Sequence, residues 1–490
     1  MLSLSLSLTS AALQRASTVP PAFKDAAWYA DHKTKRYFAK RPILGTELVT
    51  NGTFDTDLSG WTANSNASIS LSSNRLRVTN TNFGYGAATA PISVVAGKVY
   101  VLYGEQPAAT SVGNISIGRN ADGSGTILGG TVIGGGLSYT GTWTSTITGV
   151  VYVSVRVQSA GVGNYSEFDN ISVREVTSFT SMLPVTFSDL HTYERASTAT
   201  YVDASGTLRT AAVDEPRYDY DPETGRARGL LIEESSTNNV LNMLAPSTQS
   251  VTVAAQPYTL SFYGTGSITL SGAATGSLSG TGVADLVSLT YTPSAGSLTL
   301  TISGDVRMVN NEPGLIPTSR IITTVSPATR AADVLTRTPA QFPFASMPSA
   351  LSWHVQGDMS YADTAAYREV SFARWTESPT SEIELRLNTA GGFSGTMQFI
   401  HDAGSEVIVS SVDAYSPGTL VPFSIASRHG ATFINGAVDG TVLTANLTPT
   451  ALPDLSATTM QIAPTFNGHI AVESGWVTDI GDTRLGEITA

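Results

Sequence analysis

Between Val151 and Gln158 the sequence alternates without a break: Val151, Val153, Val155 and Val157 fall on one side of an extended chain, and Tyr152, Ser154, Arg156 and Gln158 fall on the other. Side chains repeat every two residues only along a β-strand, so this segment predicts a strand with one buried face. Shorter copies of the pattern precede it (Ile69 and Leu71, Leu76 and Val78, Val99 and Val101) and follow it (Leu351-Trp353-Val355, Ile383-Leu385-Leu387, Met397-Phe399). Turn-forming phrases such as NADGSG and GVGN separate the strands at the spacing of a β-sandwich. Charged residues make up only 13% of the 490, and glycines number 45, which leaves too little Lys and Glu for long surface helices. The chain is predicted to be all-β, and its length calls for several domains.

The formal net charge of -12 opposes binding to a nucleic-acid backbone, which depends on clustered Lys and Arg. The absence of cysteine removes disulfides, thiolate metal sites and thiol nucleophiles together. The opening MLSLSLSLTS alternates Leu with Ser and has neither the basic start nor the continuous apolar block of an export signal. No apolar run approaches the roughly 18 residues that cross a bilayer, so no membrane insertion is expected.

Composition shifts divide the chain into five stretches. Residues 1–46 carry FKDAAWYADHKTKRYFAKR, a mixture of helix formers, aromatics and positive charge that reads as an N-terminal arm suited to docking on another protein, or equally as a plain leader. Residues 47–176 hold the first run of alternating strands. Residues 177–245 contain the charged phrase RYDYDPETGRARGLLIEESSTN and little alternation. Residues 246–340 return to short strands in YTLSFYG, SITLSG and SLTLTISG and end in a hinge-like linker. Residues 341–490 read as a further sandwich, in which Asn435-Gly436 signals a hairpin turn. No helix is predicted outside the arm.

Catalytic signatures are missing. There is no G-x-S-x-G elbow, the six histidines are scattered without evident pairing, and the glycines sit between strands rather than between a strand and a helix. Asp219, Asp221, Glu223 and the Glu233-Glu234 pair are the acids available for glycoside cleavage, but Arg217, Arg226 and Arg228 lie among them, as in a structural ion-pair network. DYDPETG alternates acids like a calcium loop, yet its glycine, Gly225, comes one position late, so it reads as a proline-initiated turn. Residues 47–176 make a better calcium case: Asn51, Asp55 and Asp169 bring oxygen ligands to the first and last strands, although Asp55 and Asp169 equally suit turn initiation. In the same stretch Trp61, Tyr85, Tyr103, Trp143 and Tyr165 are candidates for stacking on sugar rings, or else core and rim residues.

NGTFDTDLSGWT followed about a hundred residues later by FDNISVREV resembles the jelly-roll carbohydrate-binding modules of glycosidases and bacteriophage fibres. That resemblance covers about a quarter of the chain and implies a structural calcium at Asp55 and Asp169, with Asp55 standing where many members carry Glu. The run YERASTATYVDASGTLRTAAVDEPRYDYDPETGRARGLLIEESSTNNVL, followed by YTLSFYGTGSITLSG, an IPT segment and TRAAD, resembles a module of tail-fibre and head-spike proteins of tailed bacteriophages, over roughly Phe187 to Asp333. FINGAVDGT and GHIAVESGWVTDIGDTRL are similar to the closing hairpin and last strands of laminin-G or concanavalin-A-like sandwiches.

Together these resemblances imply a string of jelly-roll sandwiches behind an anchoring arm, in a non-enzymatic virion protein at the surface of a phage tail or head. The arm would dock on other virion proteins, host-surface polysaccharide would be the ligand, and calcium would be the one cofactor; the alternatives are a polysaccharide depolymerase and a structural spacer without glycan binding. They also imply a homo-oligomer, a trimer in a fibre or a pentamer at a capsid vertex. The charged phrase would act as a joint between sandwiches.

Overall fold

The computed structural model describes residues 19–133, 137–158, 161–344, 347–364 and 368–490. The strand predicted for MLSLSLSLTS lies outside them. The fold is all-β and multi-domain, as the alternation predicted. It divides into two compact units, Arg41–Thr180 and the combination of Met1–Lys40 with Ser181–Ala490.

Arg41–Thr180 is a jelly roll of two facing sheets. One runs in the order Thr62–Ala63, Ala87–Val94, Gly149–Val157, Gly113–Gly118, Thr126–Ile133. The other is built on Tyr165–Val185, flanked by Val99–Ala109 and Leu137–Thr144 on one side and by Leu76–Asn80 and Ala67–Leu71 on the other. The valine stripe is its centre: Val151, Val153, Val155 and Val157 are fully buried against Ile115, Ile117, Leu102 and Phe168.

The second unit departs from the expected string of beads. Residues 28–39 are not an arm. Trp28–Asp31 pairs antiparallel with the start of Arg36–Glu47, forming a hairpin, and also with Gly468–Trp476 near the C-terminus, Trp28 opposite Gly475. The physical reason is apolar content, since Trp28, Tyr29, Tyr37 and Phe38 can all be buried at once only by a partner sheet. Gly475 leaves the room: a Cβ there would come within 2.0 Å of the Trp28 ring. The charged residues between the two strands form the turn, in which Asp31 Oδ1 accepts the N–H groups of Lys33 and Thr34.

The stretch 177–245 is likewise woven in rather than strung between domains. Ala227–Ile232 pairs with Gly468–Trp476, and Thr192–Glu194 pairs with Val334–Arg337, whose other neighbour is Met460–Ile462. The expected short strands of 246–340 do form a small sandwich with its own core, including Leu260, Phe262, Leu270 and Leu300.

Two local expectations for 341–490 are corrected. Asn435-Gly436 lies inside the strand Phe433–Val438 and not at a turn; the chain reverses at Ala431-Thr432 and again at Asp439-Gly440, where Asp439 and Gly440 take positive φ. Gly436 is there because the Phe399 ring occupies the space of a side chain, and Asn435 is buried with its amide donating to Asp482 Oδ1. The closing segment is also no strand beyond Trp476: Gly481–Thr489 is an α-helix that buries Leu485 and Ile488.

Candidate functional site

The charged phrase folds into a buried ionic knot. Arg217 is fully enclosed, with Nη1 donating to Glu233 Oε2 at 2.8 Å, Thr200 O at 2.9 Å and Ser319 Oγ at 2.9 Å, while Nη2 meets Asp333 Oδ2. Arg330 adds a second cation to Glu233 at 3.2 Å, and Arg195 and the Tyr193 hydroxyl reach Asp333 Oδ1. Ser319 closes the set by donating its N–H and hydroxyl to Glu233, each at 2.6 Å. The words that carried the resemblance (Arg195 of RAST, Arg217 of RYD, Glu233 of IEES, Ser319 of IPTS, Arg330 and Asp333 of TRAAD) thus meet in one place.

This arrangement is a buried ion-pair network and is unsuited to acid catalysis. Burial alone would raise the Glu233 carboxyl, but Arg330, Arg217 and the Ser319 donors outweigh it and hold it at about 2. A general acid for glycoside cleavage needs the opposite shift. Asp221 is likewise committed: its Oδ1 accepts the N–H and hydroxyl of Thr224, its Oδ2 pairs with Arg228, and these contacts lower its pKa. That is the predicted turn. Asp219 points elsewhere, to the Val202 N–H and to His469 Nε2 at 3.0 Å. Burial would discharge His469, yet hydrogen bonds to Asp219 and Asp358 raise it to about 9, so it stays cationic at neutral pH.

The jelly roll presents the second candidate, the outer face of its Tyr165–Val185 sheet. A bulge at Asp169-Asn170, where Asn170 takes φ 51°, shifts the alternation by one residue. Tyr165 and Glu167 before the bulge, and Ser172 and Arg174 after it, therefore share the outer face. Thr79 lies opposite Tyr165, Arg77 opposite Glu167, and Tyr103 opposite Ser172. The half-buried Tyr165 ring lies under the Arg77 guanidinium at 4.2 Å, and Arg77 also grips Glu167 at 2.6 Å. Tyr103 donates to Glu105 Oε1 at 2.6 Å, and burial with this bond raises its pKa to about 12. Two tyrosines are thus fixed in orientation on a polar sheet face.

The structure sorts the predicted aromatics. Trp61 and Trp143 are core residues: Trp61 packs on Phe54 and donates to Thr50 O, and Trp143 stacks on Tyr100 at 5.3 Å. Burial takes both away from any sugar. Tyr103 and Tyr165 share the outer face, while Tyr85 is 51% exposed on a separate loop beside Phe83, at 89%, which sequence reading passed over.

Of the predicted calcium ligands, Asn51 has its amide N–H groups committed to Asp57. Asp55 accepts from Thr53, and Asp169 accepts the Asn170 N–H. Burial raises the Asp169 pKa, and the neighbouring charges of Glu105 and Asp55 raise it further.

No family model matches the chain, and no curated protein does. Solved structures do match. The CBM40 of a Ruminococcus gnavus IT-sialidase, bound to alpha2,3 sialyllactose, is 12% identical over 29% of this chain and 83% of that one, with a TM-score of 0.24. A CBM4 structure is 19% identical over 26% of this chain and 99% of that one, with a TM-score of 0.22. The CBM22-1 xylan-binding domain of Paenibacillus barcinonensis Xyn10C is 12% identical over 29% and 99%, again at 0.22. By fold, the chain is a multi-domain assembly of β-sandwiches that includes a jelly roll.

Proposed function

We propose that this chain is a non-enzymatic structural subunit of a tailed-bacteriophage fibre or head spike, and that it adsorbs to host-surface polysaccharide through the outer face of its jelly roll. The observation that carries the glycan reading is the pair Tyr103 and Tyr165, each held in orientation by a charged neighbour on one polar sheet face. Sugar rings present C–H faces to aromatic rings and hydroxyls to carboxylates and guanidinium groups, and this surface supplies both. The phage reading is supported by the wording between Phe187 and Asp333, whose distinctive residues converge in the knot.

Calcium held by oxygen atoms of Asn51, Asp55 and Asp169 remains part of the proposal, since hard oxygen donors suit that ion. A homo-oligomer, a trimer in a fibre or a pentamer at a capsid vertex, completes the proposal. Virion partners would have to dock elsewhere than on Trp28, Tyr29, Tyr37 and Phe38, which are buried in the fold of their own chain.

The test is binding of the full chain to purified host capsule, comparing wild type with Tyr165→Ala and Tyr103→Ala and assaying reducing ends in parallel. At least tenfold weaker binding by each variant, with no oligosaccharide release, is the expected result. Undiminished binding by both variants would remove the proposed face, and sustained release of oligosaccharide would make the protein a depolymerase.

A further inference from the structure

Three buried side chains from distant parts of the sequence converge within the second unit. One donor atom each from His32, His191 and Glu473 lies within 4.8 Å of the others. His32 closes the strand Trp28–Asp31, with its N–H bonded to Ala471 O. His191 caps the short helix Phe187–Leu190, donating its N–H to Phe187 O. Glu473 sits in the strand Gly468–Trp476. All three are essentially inaccessible to solvent.

Their hydrogen bonding is incomplete. Glu473 Oε1 accepts from Trp28 Nε1 at 3.1 Å and pairs with Arg337 at 3.0 Å, which fixes the carboxylate and leaves Oε2 without a hydrogen-bond partner. His32 Nδ1 faces the Tyr37 hydroxyl at 3.4 Å, leaving Nε2 without one. Neither ring nitrogen of His191 has one, and its Nε2 lies 3.6 Å from Glu473 Oε2. Buried polar atoms are ordinarily satisfied, so unpartnered lone-pair atoms on three neighbouring side chains point to something that binds between them.

We propose that His32, His191 and Glu473 form a binding site for a divalent metal ion of the zinc class. Two imidazoles and one carboxylate with a fourth position free are a known donor set for zinc. The partners of Glu473 Oε1 and of His32 Nδ1 orient the ligands from outside, as outer groups do at metal centres. A tetrahedral zinc site places its donors about 3.4 Å apart, so small side-chain rotations close the present spacing. Arg337, stacked 4.5 Å from the Trp28 ring, adds a positive charge to the same pocket and so favours an anionic fourth ligand such as hydroxide or chloride. The ion would tie the N-terminal hairpin to the C-terminal strand.

The test uses the full chain, stripped with chelator and then dialysed against zinc chloride. Wild type should retain one zinc per chain through these three residues, and X-ray absorption of that sample should show two imidazole donors and one carboxylate. His191→Gln and Glu473→Gln should each bind at least tenfold more weakly, whereas Glu406→Gln, at an exposed acid, should bind as wild type does. Zinc should also slow amide exchange in Trp28–Phe38. Failure to retain zinc, an all-oxygen shell, or retention undiminished in both variants would overturn the proposal and leave a cluster that only shares protons. Because the site uses none of the residues proposed to face sugar, none of these outcomes bears on glycan binding.

Discussion

The valine stripe of the jelly roll and the ionic knot of the second unit hold β-structure together by opposite means. Val151, Val153, Val155 and Val157 are buried by apolar neighbours without directional bonds, and any side chain of similar shape could serve. Arg217, Glu233 and Asp333 are buried by charge and hydrogen bonds whose geometry each partner fixes for the others. The stripe is complete within eight residues of sequence, whereas Arg217 and Asp333 lie 116 residues apart. An apolar core tolerates approximation. A buried ionic cluster does not, because a missing partner leaves a charge stranded in a poorly polarisable interior.

The largest effect should come from stranding such a charge. Arg217→Ala removes the principal cation from Asp333 and one of two from Glu233, and should destabilise the second unit by about 3–5 kcal/mol in urea unfolding. A loss below about 1 kcal/mol would mean that the knot is as tolerant as the stripe. Val153→Ala should cost about 2 kcal/mol, read as faster amide exchange in Gly149–Val157 of the full chain and confined to the jelly roll.

The next test uses pH, because no histidine lies in the jelly roll. His469 is raised from 6.5 to about 9, so its contribution is fully present below pH 6.5 and is lost as pH rises through about 9. Alkaline titration should therefore weaken the second unit by on the order of 1 kcal/mol and spare the jelly roll, and Asp358→Asn should flatten that limb. On the acid side the sign reverses. Glu233, lowered to about 2, contributes above its unfolded value and is lost only as pH falls through about 2. The smallest effect belongs to the surface: Lys98→Ala breaks an exposed pair with Glu175 and should leave the thermal midpoint of the jelly roll unchanged.

The stripe was legible because period-two alternation is a local signal, and the same signal located most strands of the small and C-terminal sandwiches. The knot was half legible. Its charges were conspicuous, and their mixed signs argued for ion pairing, but the partners from IPTS and TRAAD could not be assigned to Arg217 and Glu233 from spacing. Trp28 and Tyr37 read as an arm because a strand whose partner lies more than four hundred residues away resembles any short aromatic segment. Asn435-Gly436 misled for a related reason: the dipeptide suits a turn, but here the glycine makes room for Phe399 and the asparagine bonds Asp482. Trp61 and Trp143 looked like sugar platforms because residue type does not reveal which sheet face a ring occupies. His32 and His191 looked isolated because nothing in the sequence pairs them.

By itself, the sequence determined that this chain is built of β-strands, which strand faces turn inward, and that its charged phrase is an ion-pair cluster, because alternation and charge composition act over a few residues. Which strands became neighbours, which tyrosines share the outer face, and which histidines meet a carboxylate were decided only by tertiary structure. These depend on pairing between segments far apart in the chain, where the closing free energy comes from the assembled core and no short stretch encodes it.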